Sequence, residues 1–239
     1  MSSYILRRIL SMIPVVIFLS VFIFAILKLT PGDPAALLAG PEASESVIEL
    51  TRAKYGLDRA LPVQYVLMMQ NLFSGELQSI YYGESVSALV LRRLPATLQL
   101  GLAALIIALV VAIPAGIIAA VRRNTIWDYA SMGIALFGVS IPVFFTGILL
   151  IYVFSVGLQW LPASGYGGPL WTLDGLRHVI MPAFALSLVL MASTTRLTRS
   201  SMLEVLSEDY IRTAASKGAG RVRIILGHGL QNALIPIVT

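Results

Sequence analysis

The sequence predicts an all-α fold, a polytopic bundle of transmembrane helices. Hydrophobic residues make up 57% of the chain and charged residues only 12%, whereas a soluble domain carries roughly 25% charged residues. The apolar residues stand in long blocks rather than at amphipathic spacing, and about 20 such residues suffice to cross a bilayer as a helix. We therefore expect lipid to surround most of the chain.

Four apolar blocks contain no internal acid or base and are predicted to be spans. They are residues 9–27, 97–121, 129–156 and 179–195. We interpret the first as a retained span rather than a signal peptide, because its apolar core is longer than the ~7–15 residues of such a peptide and no A-x-A site follows. Residues 233–239 turn apolar again, which indicates the start of a fifth span. The pattern is that of a bundle truncated after its fourth span.

The distribution of basic residues predicts a cytoplasmic amino terminus, because short cytoplasmic loops carry an excess of Lys and Arg. In that orientation residues 1–8 and the loop 196–232 are cytoplasmic, and the segments 28–96 and 157–178 lie on the opposite side. The basic residues assigned to the cytoplasmic side are Arg7, Arg8, Arg122, Arg123, Arg196, Arg199, Arg212, Lys217, Arg221 and Arg223. Their position at the ends of apolar blocks favours lipid headgroups over nucleic acid as the reason for the net charge of +5.

The long segment 28–96 is predicted to hold two amphipathic helices. Ser46 and Glu49 have the spacing of a capping box, and Gly56 stands where a glycine would end that helix. The second helix is predicted to start at Pro62 and to end near Gly75. Two interpretations stay open, namely helices that lie on the membrane surface and helices that receive a partner protein.

Small residues and prolines mark the spans. A stripe of small residues with a spacing of four predicts that the second span packs closely against another helix. Its members are Ala104, Ala108, Ala112, Gly116 and Ala120. Pro114, Pro142 and Pro182 lie inside the second, third and fourth spans, where proline removes a backbone hydrogen bond and bends a helix. These bends are interpreted as structural kinks or, alternatively, as gating hinges.

The residues present argue against catalysis. The sequence contains no G-x-x-x-x-G-K-[ST] phosphate loop, no cysteine, and no histidine pair at metal-ligand spacing. We expect no enzyme activity, no cofactor and no metal site in this chain. Weakly polar positions inside the spans are the candidates for a translocation path, although each hydroxyl could instead bond its own helix backbone. The candidates are Gln99, Ser131, Ser140, Pro142 and Ser187.

Residues 208–218, with the sequence E-D-Y-I-R-T-A-A-S-K-G, resemble the EAA loop of ABC-importer permeases. Arg212, Thr213 and Ala214 occupy the E-A-A places, with arginine in place of glutamate, and Gly218 occupies the glycine place. Together with N-A-L-I-P at residues 232–236, the motif is similar to that of the dipeptide, oligopeptide and nickel branch.

Other motifs are similar to the same branch. T-P-G-D-P at residues 30–34 looks like the signature of its B-type permease, and S-I-P-V-F at residues 140–144 resembles its third-span motif. G-E-L-Q-S at residues 75–79 is close to a G-D-L-G-x-S element, from which Gln78 departs. Residues 40–43 and 207–210 resemble the glutathione-importing members.

The resemblance implies a type I ABC-importer permease fold in the bacterial inner membrane. It implies alternating-access import of a dipeptide, an oligopeptide, glutathione or a nickel chelate, without selecting among them. The implied partners are a second permease, two ATPase subunits that bind the ATP, and a periplasmic solute-binding protein. The residues that would dock to the ATPase are Asp209, Tyr210, Arg212, Thr213, Ala214, Lys217 and Gly218.

Two other functions remain open at this point. One is a secondary transporter or channel that needs no ATPase, although such carriers usually keep ionisable groups within the bilayer and the predicted spans have none. The other is a non-functional truncated permease.

Overall fold

The computed structural model describes residues 2–79 and 82–238, and its described part is helical with one isolated β-bridge between Gln78 and Ser85. The chain divides into two compact units, residues 1–93 and 94–239, with the division inside a long helix. The helices are α1 (Ser2–Leu29), α2 (Pro34–Ala39), α3 (Glu45–Lys54), α4 (Leu61–Ser74), α5 (Val86–Val121), α6 (Ile126–Ser140), α7 (Val143–Leu150), a π-helix (Ile151–Gly157), α8 (Leu173–Leu206), α9 (Asp209–Ser216), a second π-helix (Arg223–Gly229), α10 (Leu230–Ala233) and α11 (Ile235–Val238).

Three helices in the described part are long and apolar enough to cross a membrane. They are Leu6–Leu29, Val86–Val121 and Leu173–Leu206. A fourth candidate is the pair Ile126–Ser140 and Val143–Gly157, which bends by 96° at its break. Multiple apolar helices of this length agree with the predicted helical bundle.

The third predicted span, residues 129–156, is interrupted in the structure. Pro142 is the N-cap of α7 and follows an extended residue, Ile141. Proline has no backbone N–H to continue the hydrogen-bond ladder of α6, and its ring disfavours the α conformation in the residue before it. The helix therefore ends and restarts in a new direction, a stronger departure than the kink expected from the sequence.

Helix α5 (Val86–Val121) begins before the predicted span 97–121 and ends with it, and α8 (Leu173–Leu206) extends beyond the predicted span 179–195 at both ends. Hydropathy marks the part of a helix that lies in hydrocarbon, but backbone hydrogen bonds continue through polar turns outside it.

In the first unit, the P-G-D-P motif forms a helix start that is fixed by Asp33. Its carboxylate accepts a hydrogen bond from the Ala35 N–H at 2.9 Å and one from Arg52 Nη2 of α3 at 2.6 Å. The Ala35 amide, followed by the Arg52 guanidinium, holds the pKa of Asp33 below its usual value. Helix α3 starts after Ser44, two residues before the predicted Ser46, and Gly56 follows it with φ of +62°.

In the second unit, small residues of α5 pack against α8. Ala108 and Ala112 form a buried cluster with Met191, and Ala120 forms another with Met202 and Ala233. A side chain at Gly116 would meet Thr198 Cβ at 2.5 Å and the Thr195 carbonyl oxygen at 2.9 Å. The close helix packing predicted from the small-residue stripe is therefore confirmed.

Candidate coupling surface

Five of the seven residues predicted to dock to an ATPase lie on one short helix, α9, which follows the end of α8, and Lys217 and Gly218 come directly after it. Ile211 is its buried anchor, with 7% of its surface exposed. Gly218 ends the helix with φ of +82°, a conformation that glycine adopts without a steric penalty. The Ala219 N–H returns to the Ala214 carbonyl at 3.2 Å and closes the last turn. The carboxyl end of α9 is therefore set by Gly218, and its apolar side is held by the burial of Ile211.

Tyr210 provides a second anchor on α9. Its hydroxyl accepts a hydrogen bond from Asn232 Nδ2 at 2.7 Å, and the same Nδ2 lies 3.3 Å from the His228 carbonyl oxygen. Asn232 belongs to α10 and His228 to the second π-helix. These contacts join α9 to the helices that follow it along the chain. Tyr210 therefore holds α9 in position, in addition to being one of the predicted docking residues.

The opposite side of α9 is open to a partner. Of the seven predicted docking residues six are exposed, and Ala214 is half-buried. Arg212 Nη1 lies 3.5 Å from Asp209 Oδ1, but both side chains are largely exposed, at 77% and 96%, and such a pair contributes little to stability. Both charges therefore stay available for an intermolecular contact.

A buried ion pair, which the sequence did not predict, connects α6 to α8. The Asp128 carboxylate in the first turn of α6 accepts hydrogen bonds from Arg199 Nε at 2.6 Å and Nη2 at 2.7 Å. It also accepts one from the Asn124 N–H at 3.0 Å. Asp128 is 2% exposed and the Arg199 side chain 26% exposed. This two-pronged geometry fixes orientation as well as distance, and it locates α6 on the last turns of α8 that lead to α9.

No sequence signal pairs these two residues, which are 71 positions apart. In the sequence, Arg199 is one of several basic residues after an apolar block, and such residues indicate only the orientation in the membrane. The available cue was a single acid, Asp128, placed directly before an apolar block. A carboxylate at that depth needs a partner, but the sequence does not show which basic residue supplies it.

The serines among the candidate path residues bond to their own helices. Ser131 donates to the Trp127 carbonyl at 2.8 Å, and Ser140 donates to the Leu136 carbonyl at 3.0 Å. Ser187 is fully buried and donates to the Phe184 carbonyl at 2.7 Å. These bonds are the alternative left open by the sequence, and a role in the path stays a prediction.

Gln99 and Pro142, the other two candidates, lie apart from those serines. Gln99 Nε2 is 3.5 Å from the Tyr166 hydroxyl, and both residues line a cavity of about 160 Å³ together with His178. Pro142 is at the break between α6 and α7. The five candidates are therefore spread over several helices of the second unit.

Several long apolar helices, packed through small residues in the second unit, are the structure of a multi-pass membrane protein. Residues 112–239 match the family described as binding-protein-dependent transport system inner membrane component, and residues 1–101 match the amino-terminal domain of such components. The chain belongs to this family, the permease subunits of ABC importers.

Three curated relatives are similar to this chain over its full length. A probable peptide ABC transporter permease of Sinorhizobium fredii is 41% identical over 100% of this chain and 77% of its own length. The glutathione transport system permease of Escherichia coli is 42% identical, covering 100% of this chain and 76% of its own. The oligopeptide transport system permease AppB of Bacillus subtilis is 40% identical over 100% of this chain and 77% of its own.

The family membership confirms the resemblance found in the sequence motifs. The chain is a multi-pass inner-membrane permease component that functions with ATPase and binding-protein components, and it is not an enzyme. A secondary carrier or channel is not favoured.

Proposed function

We propose that this chain imports a peptide or a peptide-like small solute such as glutathione by alternating access. It would do so with a second permease, two ATPase subunits and a periplasmic solute-binding protein. The names of the relatives support this class of solute, since they specify peptides, oligopeptides and glutathione.

The observation that carries the mechanism is the anchoring of α9. Ile211 is buried, Tyr210 is hydrogen-bonded to Asn232, and the face with Arg212 and Thr213 is exposed. We infer that the exposed face docks in a cleft of the ATPase while the anchored side passes its displacement to α8 and α10. A surface held from both ends transmits movement, whereas a flexible loop would absorb it.

A bulky substitution at Thr213 is expected to abolish coupling without unfolding the chain. In the complete importer reconstituted in proteoliposomes, Thr213→Trp should lower ATP-driven, binding-protein-dependent uptake by about tenfold or more, because overpacking at a close interface costs on the order of 1–3 kcal/mol. Thr213→Ala is the matched control and should keep uptake close to that of the native protein. Undiminished uptake by Thr213→Trp would sink the docking assignment, and uptake by vesicles that lack the ATPase subunits would favour a secondary carrier.

The proposed orientation places α9 in the cytoplasm and α3 outside. It is supported by Arg7, Arg8 and the basic residues that follow α8, through the bias for positive charge in cytoplasmic loops. With the amino terminus inside, the ion pair of Asp128 and Arg199 would lie at the cytoplasmic edge of the membrane, next to the ATPase.

Single-cysteine labelling tests this orientation without background, because the sequence contains no cysteine. In intact spheroplasts a membrane-impermeant maleimide should label Glu42→Cys, in the exposed turn before α3. It should label Lys217→Cys only after the membrane is permeabilised. Labelling of Lys217→Cys from outside would overturn both the orientation and the docking of α9 to an ATPase.

A further inference from the structure

The first unit contains an apolar cavity of about 430 Å³ between the last turns of α1 and helices α2 and α4. Its volume falls within the range of about 300–1,000 Å³ that is typical of small-molecule sites. The apolar part of its wall consists chiefly of Phe24, Leu27, Leu38, Met68, Leu77 and Val86. Phe24 and Leu27 belong to the apolar helix Leu6–Leu29, so the cavity wall is continuous with a membrane-crossing surface.

One wall residue, Gln64, carries a buried polar atom without a partner. Its side-chain Nε2 donates to the carbonyl oxygens of Leu57 at 3.0 Å and Arg59 at 2.6 Å, which fixes the orientation of the amide. Gln64 is only 8% exposed, and its Oε1 accepts no hydrogen bond within residues 2–79 and 82–238. Less than 1 Å² of this oxygen is accessible, so it adds no polar surface to the cavity.

A cation, Lys28, also lines this cavity. Lys28 is half-buried in the last turn of α1, and its Nζ lies 5.6 Å from the centre of the Phe24 ring. Within the described chain no carboxylate forms an ion pair with it. Lysine at the end of a span extends its ammonium group to the level of the lipid headgroups. The cavity thus combines an apolar wall with a cation at the level of the lipid phosphates.

We propose that this cavity binds one acyl chain of an anionic phospholipid, with the phosphate at Lys28. Phosphatidylglycerol has this combination of groups. An apolar cavity of this size is a poor site for water, which needs two to four polar partners, whereas the adjoining bilayer supplies acyl chains at high concentration. The site is separate from the coupling surface and from the proposed solute.

The test uses the complete importer in nanodiscs that contain phosphatidylglycerol with a photoreactive diazirine on one acyl chain. After irradiation, mass spectrometry should locate the label on cavity residues such as Leu38 and Met68. Met68→Trp, which fills the cavity, should reduce this labelling by roughly fivefold, as expected when overpacking costs about 1 kcal/mol. Leu38→Trp is the second variant should the first be poorly folded.

Leu50→Trp on α3 is the matched control, because Leu50 is 71% exposed and lies outside the cavity; its labelling should be unchanged. Lys28→Gln should lower labelling by phosphatidylglycerol, and should lower labelling by a phosphatidylcholine probe less, because the choline group already compensates the charge of that phosphate. Equal cavity labelling in Met68→Trp, Leu38→Trp and the native protein would overturn the proposal. Cross-linking of the cavity residues to the binding protein in place of lipid would also overturn it.

Discussion

Replacement of Asp128 with alanine is expected to destabilise the permease by about 3 kcal/mol, in the range observed when one partner of a buried ion pair is removed. The change leaves the Arg199 guanidinium, 26% exposed, without the carboxylate that accepts two of its hydrogen bonds. It also leaves the Asn124 N–H without its acceptor. Because the pair joins α6 to α8, uptake by the reconstituted importer should fall together with stability.

The measurement is the free energy of unfolding in mixed detergent micelles, titrated with a denaturing detergent. Arg196→Ala is the matched control, since Arg196 is an exposed arginine on the same helix and surface substitutions usually change stability by less than about 0.5 kcal/mol. The double variant Asp128→Ala, Arg199→Met removes both charges and should be more stable than Asp128→Ala alone. If Asp128→Ala and Arg196→Ala were equally stable, the ion pair would have no structural role.

Gly116→Ala is expected to destabilise the permease by about 2 kcal/mol, in the range for an overpacked contact. The added methyl group would meet Thr198 Cβ and the Thr195 carbonyl oxygen closer than van der Waals contact allows. Backbone atoms cannot move aside as a flexible side chain can, so α5 must separate from α8. The buried contact of Ala112 with Met191, about one turn of α5 before Gly116, should loosen with it.

Gly101→Ala provides the matched control on the same helix, because a side chain at Gly101 meets nothing within 4 Å. Alanine is the better helix former by up to about 1 kcal/mol, so this variant should be as stable as the native protein or slightly more stable. The thermal midpoint of unfolding in detergent distinguishes the two variants. Equal midpoints would show that α5 and α8 do not approach each other closely at Gly116.

The sequence predicted those parts of the fold that depend on local composition. Apolar blocks located the membrane helices, and the spacing of small residues identified the face of α5 that packs. Glycines marked the ends of α3 and α4, at Gly56 and Gly75, because positive φ has a steric cost for other residues. Helix lengths outside the hydrocarbon were not predicted, since polar residues continue a helix without an apolar signal.

For the candidate site too, the sequence predicted the local features but not the contacts between distant residues. The motif at residues 208–218 located the exposed helix α9, but the anchors that hold it depend on tertiary packing. Tyr210 and Asn232 are 22 positions apart, and a single sequence carries no information on which pairs of side chains meet. The sequence predicted only a kink at Pro142, whereas the helix pair bends there by 96°. A proline indicates that a helix bends, but the packing of neighbouring helices determines the angle.

Helix α8 contacts α6 and α5 in two different ways, through the ion pair of Asp128 and Arg199 on one side and through the small residues of α5 on the other. On the side of α6, two charge-assisted hydrogen bonds resist both sliding and rotation, so α6 follows α8 as part of one rigid body. On the side of α5, the facing residues include Ala108, Ala112 and Gly116, and such a shallow surface offers little resistance to shear. A displacement of α9 would therefore pass through α8 and the ion pair to α6 and the bend before α7. Helix α5 could stay in place while α8 and α6 slide past it.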